Sequence, residues 1–329
     1  MKMVSVLIPC YNEEENVKLI ARAVEKIFKL ELPKYDYEIV FIDNDSSDLT
    51  RSYLREICEQ NKKIKAIFNA KNFGQFNSPY YGLMQTQGDC TILLCCDFQD
   101  PIELLPQMVH EWESGEYKII VMQKIASEER RILYFLRSCY YKLLRRFSDV
   151  NQIEHFTGFG LYDREFIEVL RQLNDPMPFL RGIVAEFGYR IKVIPYKQKQ
   201  RAAGKTHNNF TTLYDAAMLS FTSYTKIGLR IATFIGFGVA GISFIIALIY
   251  FVFKLIFWDR FVAGTAPILM GMFFLGAVIL IFLGIIGEYI LSINQRVMNR
   301  PLVIEDERIN FEEEKDGEAK TAEESGRRH

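Results

Sequence analysis

Three shortages in the sequence each exclude a class of protein. Net charge is almost absent: 40 Lys and Arg stand against 41 Asp and Glu, a formal −1 over 329 residues. A dedicated nucleic-acid binder carries a strongly basic surface, so no nucleic-acid partner is expected. Paired metal spacing is missing too: Cys10, Cys58, Cys90, Cys95, Cys96 and Cys139 show no zinc-type pattern. They read as reduced thiols, mostly packing, in a reducing compartment. Of the four histidines, His155 and His207 lie near polar segments of interest, but nothing nearby gives them ligand spacing, and they read as ordinary polar residues. A secretory signal is also lacking, since the first apolar run, Val4 to Cys10, is short and leads into Glu13, Glu14 and Glu15. No internal repeat is present.

What is there is uneven. The mean hydropathy of +0.01 averages two populations. Ile231–Phe253 is 23 residues without a charge and Phe261–Gly287 is 27. A hydrocarbon core of about 30 Å needs roughly 20 helical residues. The pattern predicts transmembrane helices at 231–253 and 267–291, joined by a short extracytoplasmic loop, 254–266. Lys199, Arg201, Lys205, Lys226 and Arg230 precede the first span and Arg296 and Arg300 follow the second, whereas the loop offers only Lys254 and Arg260. That bias puts both flanks in the cytoplasm. The expected organisation is a cytoplasmic domain at 1–207, a juxtamembrane amphipathic helix at 208–230, the hairpin, and a cytoplasmic acidic tail at 292–329 whose end, from Glu312, reads as disordered. The expected location is the inner (plasma) membrane, multi-pass. Small residues in both spans permit a homo-oligomer.

Residues 4 to about 100 alternate short β-rich runs with helical patterns. Strands are predicted at Val4–Pro9, Tyr37–Asp43, Ile64–Phe68 and Cys90–Cys96, the last buried. Helices are predicted at Glu13–Leu30, Asp48–Gln60 and Gly74–Gln87. Such alternation implies an α/β parallel sheet covered on both faces, with ligands at the carboxyl ends of its strands. Residues 117–146 read as a basic, mostly helical stretch, with eight Lys and Arg (among them Lys118, Lys124, Arg145 and Arg146) against Glu128 and Glu129. Beside a membrane anchor, such a surface suits anionic headgroups. Gly236, Gly238 and Gly241 match a dinucleotide glycine pattern, but inside an apolar span with no strand before it; there they read as small residues that let helices approach.

Polar residues follow each strand directly. Pro9-Cys10-Tyr11-Asn12-Glu13 follows the first and Asp43-Asn44-Asp45-Ser46-Ser47-Asp48 the second. Asp43, ending a strand in a ligand crevice, suits a ribose or base edge. Asp97-Phe98-Gln99-Asp100-Pro101 follows the fourth, where carboxylate and amide oxygens suit Mg²⁺ or Mn²⁺. Asp100 and Pro101 also fit a helix N-cap and first turn.

Together with Phe179-Leu180-Arg181-Gly182, Arg201-Ala202-Ala203-Gly204-Lys205-Thr206 and Ile285-Ile286-Gly287-Glu288-Tyr289, these segments resemble, in order, the family 2 inverting glycosyltransferases. The resemblance is specifically to membrane-anchored polyprenyl-phosphate hexose transferases similar to dolichol-phosphate mannose synthase. It implies a nucleotide-sugar-binding, GT-A-like parallel-sheet catalytic domain followed by a two-helix transmembrane hairpin. It also implies a divalent cation, Mg²⁺ or Mn²⁺, a nucleotide-sugar donor (UDP-hexose preferred, GDP-hexose next) and a polyprenyl phosphate acceptor such as undecaprenyl phosphate. By position, Pro9, Tyr11, Asn12, Glu13, Asp43, Gly74 and Asp97 would hold the donor, and Asp97 and Gln99 the metal. Arg201, Lys205 and Thr206 would hold the acceptor phosphate. Asp97, Arg201 and Lys205 are the expected catalytic residues.

The sequence departs from the family pattern at three places. Cys95 stands where a further aspartate is usual, and a thiolate is a poor partner for a hard cation. Asp43-Asn44-Asp45-Ser46 stands for Asp-Asp-Gly-Ser. Gly158, in Thr157-Gly158-Phe159-Gly160, stands where an aspartate is often assigned to catalysis. An acceptor phosphate with a second pKa near 6 arrives mostly deprotonated, so the expected chemistry proceeds without a protein base. Two alternatives follow from the departures and the anchor. One is a catalytically impaired scaffold binding nucleotide sugar or lipid. The other is a processive polysaccharide synthase, which two spans and the lack of a Gln-x-x-Arg-Trp motif disfavour.

Overall fold

A computed structural model describes residues 1–126, 153–173, 175–198, 218–219, 227–256 and 265–311. The chain divides into two units, Met1–Glu128 with Ile153–Thr206 and Pro301–His329, and Glu129–Gln152 with His207–Arg300. In the first unit the elements run β1 (Met3–Cys10), α1 (Val17–Leu30), β2 (Asp36–Asp43), α2 (Thr50–Gln60), β3 (Ile64–Asn69), α3 (Gly74–Gln85), β4 (Cys90–Leu93), α4 (Leu105–Glu113) and β5 (Ile119–Ala126). They continue with β6 (Phe156–Asp163), α5 (Arg164–Leu173), α6 (Leu180–Glu186) and β7 (Ile191–Lys197). The second unit contains α7 (Ile227–Ile256) and α8 (Thr265–Val297), after which the chain re-enters the first unit as β8 (Glu305–Ile309).

The apolar pattern explains the layering. On β1, Val4, Val6, Ile8 and Cys10 pack with the buried stripes of α1, α2 and α4, while Leu7 packs on the other side with α3, α5 and α6. Period-two side chains on a strand covered from both faces leave no room for an exposed polar row. On α1, Val17, Ile20, Ala21, Val24, Ile27 and Phe28 are buried, at the three- and four-residue spacing of one helix face.

The eight strands lie in the order β7-β5-β6-β4-β1-β2-β3-β8. The central four, β3-β2-β1-β4, are parallel, as the alternation predicts. The flanks are mixed: β6 is antiparallel to β4 and β5, and β8 is antiparallel to β3. The chain winds outward from β1 through β2 to β3, then returns to place β4 on the other side of β1. That reversal opens a crevice at the carboxyl ends of β1 and β4.

Four local expectations need correction. The strand expected to run to Cys96 ends at Leu93; Leu94 still donates to Leu7 O (2.9 Å), but Cys95 is an exposed residue beside Asp100 while Cys96 stays buried. The expected helical stretch from 117 begins as strand β5; Lys118 there is ion-paired with Asp163 (3.2 Å) and Glu165 (3.1 Å), and Arg130 to Arg146 lie outside the described residues. Asp100 does not cap a helix: the chain enters a 3-10 turn at Ile102–Leu104 first, and Asp100 is buried. Finally, the acidic segment after Pro301 carries a sheet strand, β8.

In the second unit, Gly236, Gly238 and Gly241 lie within α7, so a strand-to-helix turn for a dinucleotide is excluded. Among the described residues one helix is long and apolar enough to cross a membrane, Phe274–Val297, whose most apolar 18-residue window has a mean hydropathy of 2.4. Its large apolar side chains, including Phe274, Leu280 and Ile281, are exposed. Such a helix calls for an apolar surrounding. Most of the expected juxtamembrane helix, 208–230, lies outside the described residues.

Candidate active site

The carboxyl ends of β1, β2 and β3 form one hydrogen-bonded edge. In register, Pro9 pairs with Ile42, Cys10 with Asp43, and Asp43 with Phe68. The loop after β1 is laced to the loop after β2 by backbone-to-side-chain bonds. Asn12 N donates to Ser46 Oγ (2.8 Å), Glu13 N to Thr50 Oγ1 (2.8 Å), and Ser47 N to Asn12 Oδ1 (2.8 Å). Asn12 adopts φ +54, a left-handed conformation that asparagine tolerates. Glu13 takes a bond from Asn16 Nδ2 (2.6 Å). Asp48 accepts from Glu14 N (3.2 Å) and from Thr50 N (3.0 Å), which ties the loop after β1 to the turn before α2; the N-cap position itself is Leu49.

Asp43 is fully buried. Its Oδ2 accepts from Arg51 Nε (2.7 Å) and Ser46 N (3.2 Å), while Oδ1 has no hydrogen-bond partner among the described residues. A buried acceptor without a donor is rare and marks a place for a ligand or water. Arg51 also reaches Asn69 O, Asp45 and Asp306.

Two departures from the family pattern now have physical accounts. Asn44 uses both ends of its amide: Oδ1 accepts from Asn69 Nδ2 (3.0 Å) and Phe73 N (2.9 Å), and Nδ2 donates to Asn72 Oδ1 (2.9 Å) and Gly74 O (3.4 Å). A carboxylate has no donor to offer Asn72 or Gly74. Asp45, where the family has glycine, sits at φ +69, the conformation that glycine supplies without strain. Gly74 opens α3 at φ +88, also in left-handed space.

The end of β4 forms the second edge. Asp97 and Asp100 are both buried. Asp97 Oδ1 accepts from Gln99 N (3.1 Å), and Gln99 Oε1 faces Gln198 Nε2 (3.5 Å). Phe98 adopts φ +58, bending the chain so that Asp97 and Gln99 share one loop. Asp100 accepts from Tyr196 Oη (2.9 Å) and Cys95 N (3.4 Å), both neutral donors. Burial pushes its carboxyl up to about 6 despite those bonds.

The buried thiols between the edges register both. Burial first, then Glu13 and Asp97, push the Cys96 thiol well above its ordinary value. Burial, then Asp43, Cys96, Glu13 and Asp48, do the same to Cys10. Cys10 and Cys96 share one core cluster, and β1, paired with β2 on one side and β4 on the other, sets the two edges next to each other.

Of the expected residues, the structure gathers Pro9, Tyr11, Asn12, Glu13, Asp43 and Gly74 along the first edge, and Asp97 and Gln99 on the second. Arg201, Lys205 and Thr206 lie outside the described residues. Gly158 stands on β6 at φ +112, and an added Cβ would lie 3.4 Å from Leu93 Cδ2, so this backbone is shaped for glycine and strains an aspartate. The sequence reading missed Arg51, Asn69, Tyr196 and Asp306. Arg51 follows Asp43 by eight residues on the first turn of the next helix, a signal that could have been used; the others come from distant strands.

A hard cation fits the oxygen donors of Asp97 and Gln99, because Mg²⁺ is commonly held by one or two carboxylates together with substrate phosphates. Among the described residues no group of three His, Cys, Asp or Glu side chains forms a metal set by itself.

Residues 5–171 match the glycosyl transferase family 2 model. Among curated proteins, the chain is 32% identical over 301 residues to the prophage-derived bactoprenol glucosyl transferase of Shigella flexneri, covering 92% of this chain and 96% of that one. It is 31% identical to the bactoprenol glucosyl transferase of Shigella phage SfX, covering 91% and 97%. Among solved structures, glucosyl-3-phosphoglycerate synthase of Mycobacterium tuberculosis with Mn²⁺, UDP-glucose and phosphoglyceric acid aligns with a TM-score of 0.46 at 15% identity, over 67% of this chain and 78% of that one.

Proposed function

The chain belongs to glycosyl transferase family 2, and from that membership we propose that it transfers glucose from a nucleotide sugar to the phosphate of a polyprenyl phosphate. UDP-glucose is the first donor to test and a GDP-hexose the second. The glycosyltransferase activity follows from the family; the names of the two Shigella relatives support the sugar and the lipid class. The observation that carries the reading is the meeting of two unlike edges where the strand order reverses. One is a neutralised carboxylate with a buried, unpartnered oxygen, Asp43; the other is a hard-oxygen loop, Asp97 and Gln99.

In this reading Asp43 Oδ1 accepts from a base N–H or ribose hydroxyl, and the Pro9–Glu13 loop and Gly74 complete the nucleoside cradle. Asp97 and Gln99 would hold Mg²⁺ or Mn²⁺, which would supply charge neutralisation for a diphosphate leaving group. A phosphate oxygen of the acceptor forms the new bond to the anomeric carbon. The bond from that carbon to the diphosphate breaks on the opposite face, and the nucleoside diphosphate leaves with the electron pair. Inversion follows from that geometry. The dianionic acceptor brings no proton to remove, which agrees with a glycine-shaped backbone at Gly158. Arg201, Lys205 and Thr206 are proposed to hold the acceptor phosphate, where aligned positive charge favours in-line attack.

Both α7 and α8 are proposed to span the inner membrane, with the catalytic domain cytoplasmic by the Lys and Arg bias of the flanks. The lipid product then serves cell-envelope glycan synthesis or modification.

The test is a panel of nucleotide sugars offered with undecaprenyl phosphate to membranes containing the full chain, with and without Mg²⁺ or Mn²⁺. The expected result is acid-labile radiolabel in the lipid phase with UDP-glucose and a divalent cation. No lipid-phase label from any donor overturns the reading.

A further inference from the structure

We propose that β8, the strand that follows the last apolar helix in the chain, is a positioning element of the donor site, acting through Asp306, Arg51 and Asp43. The inference rests on reading the β1–β3 edge as the donor site.

The argument starts from the sheet edge. β8 pairs antiparallel with β3, Ala66 opposite Ile309, Ile67 opposite Arg308 and Phe68 opposite Glu307, but Asn69 is opposite Glu305. Asp306 is therefore the extra residue of a β-bulge. Bulges re-aim a side chain and concentrate at sheet edges and beside active sites. This one brings Asp306 Oδ2 within 3.6 Å of Arg51 Nη1. Glu307 meanwhile binds Arg55, one turn further along α2, at 2.6 Å. Both arginines lie over the ring of buried Phe68, with guanidinium carbons 5.6 Å and 4.8 Å from its centroid.

Arg51 is where this anchorage meets the site. Its Nε holds Asp43 Oδ2 at 2.7 Å, its Nη2 holds the carbonyl of Asn69, and its Nη1 faces Asp306. A guanidinium is a planar fork, so fixing one arm orients the others. The bonds to Asp43 and Asn69 hold the fork, and Asp306, more than half exposed and 3.6 Å from Nη1, adds an electrostatic bias on the third arm. The Oδ1 of Asp43, buried and without a hydrogen-bond partner among the described residues, is the acceptor this arrangement leaves over. β8 itself is well tied down: Asn310 Nδ2 donates to Cys58 O (2.7 Å) and Ile64 O (2.8 Å), and Ala70 N donates to Ile304 O (2.9 Å). The post-helix segment is thus built into the catalytic sheet, and it supplies a charge to the shell behind a donor-site carboxylate.

The test uses the full-length chain in detergent, with UDP and GDP as binding probes and the transfer assay as second readout. Asp306→Asn keeps the size of the side chain and removes its charge; Asp306→Glu is the conservative rescue; Glu307→Gln is the matched control one residue away. Asp306→Asn is expected to weaken nucleotide binding and raise donor KM about two- to fivefold, the scale of a partly exposed ion pair, with kcat and acceptor KM unchanged. Asp306→Glu is expected to restore both, and Glu307→Gln to lower the melting temperature without moving donor KM. Nucleotide binding equal to wild type in Asp306→Asn, or an equal shift in Glu307→Gln, overturns the inference while leaving the donor site standing. A wild-type chain that binds neither UDP nor GDP overturns the donor-site reading, and this inference with it.

Discussion

The two edges of the crevice handle negative charge in opposite ways. At the ends of β1, β2 and β3, the buried Asp43 is met by Arg51, and the surrounding loops are closed by side chains that answer backbone N–H groups. At the end of β4, the buried Asp100 is met by a tyrosine hydroxyl and a backbone amide, and its carboxyl rises to about 6. The first edge is charge-compensated before any ligand arrives. The second carries the cost of desolvating a carboxylate that no cationic side chain among the described residues is shown to meet. The contrast teaches that one edge is charge-compensated by the fold itself, whereas the other keeps a buried carboxyl that only neutral groups meet.

The comparison breaks most visibly at Asp97. Asp97→Ala is expected to lower transfer by about a hundredfold or more, on the scale of losing a charge-stabilising group, while UDP binding falls less; full transfer activity would remove the hard-cation role from the second edge. At the first edge, Asp43→Ala strands Arg51 and removes the open acceptor. The UDP dissociation constant, measured by calorimetry, is expected to rise roughly ten- to a hundredfold.

Acidification sharpens the contrast in stability. Asp100 binds its proton more tightly in the folded chain, with a pKa of about 6 against 3.8 for the free group. The Asp100 contribution to stability is therefore expected to rise as pH falls from 7 through 6 toward 4, by up to roughly 3 kcal/mol, against the opposite contribution of carboxylates, such as Asp36, that lysines hold low. Thermal unfolding in chelator, with Asp100→Asn flattening the pH dependence, checks the sign. Asn44→Asp sets carboxylate oxygens against Asn72 Oδ1 and Gly74 O and is expected to cost about 1–2 kcal/mol in denaturant titration. The smallest effect is a gain: Asp45→Gly relieves a left-handed backbone, expected to be worth about 0.5–1 kcal/mol, less the weak 3.6 Å contact with Arg51.

Much of this was legible in the sequence. The first four strands and first three helices fall within a few residues of their predicted bounds, because period-two and helical apolar patterns are local. Pro9 to Glu13, Asp43 and Asp97 could be placed at strand ends from the sequence because each directly follows or ends a β-rich run, and strand ends are where parallel α/β sheets present residues to ligands. Cys95 was misplaced as a buried strand residue because an apolar run does not show where pairing stops.

The sequence by itself determined the alternation of strands and helices, the polar ends that line the crevice, and two long uncharged segments, since all of these are written in neighbouring residues. Only the tertiary structure decided that Tyr196 meets Asp100, that Arg51 holds Asp43, and that Glu305–Ile309 closes the sheet against β3. These contacts join residues distant in sequence. A charged edge strand also looks like a solvated tail, because the charges that keep a sheet edge from pairing with other chains hide the strand they protect.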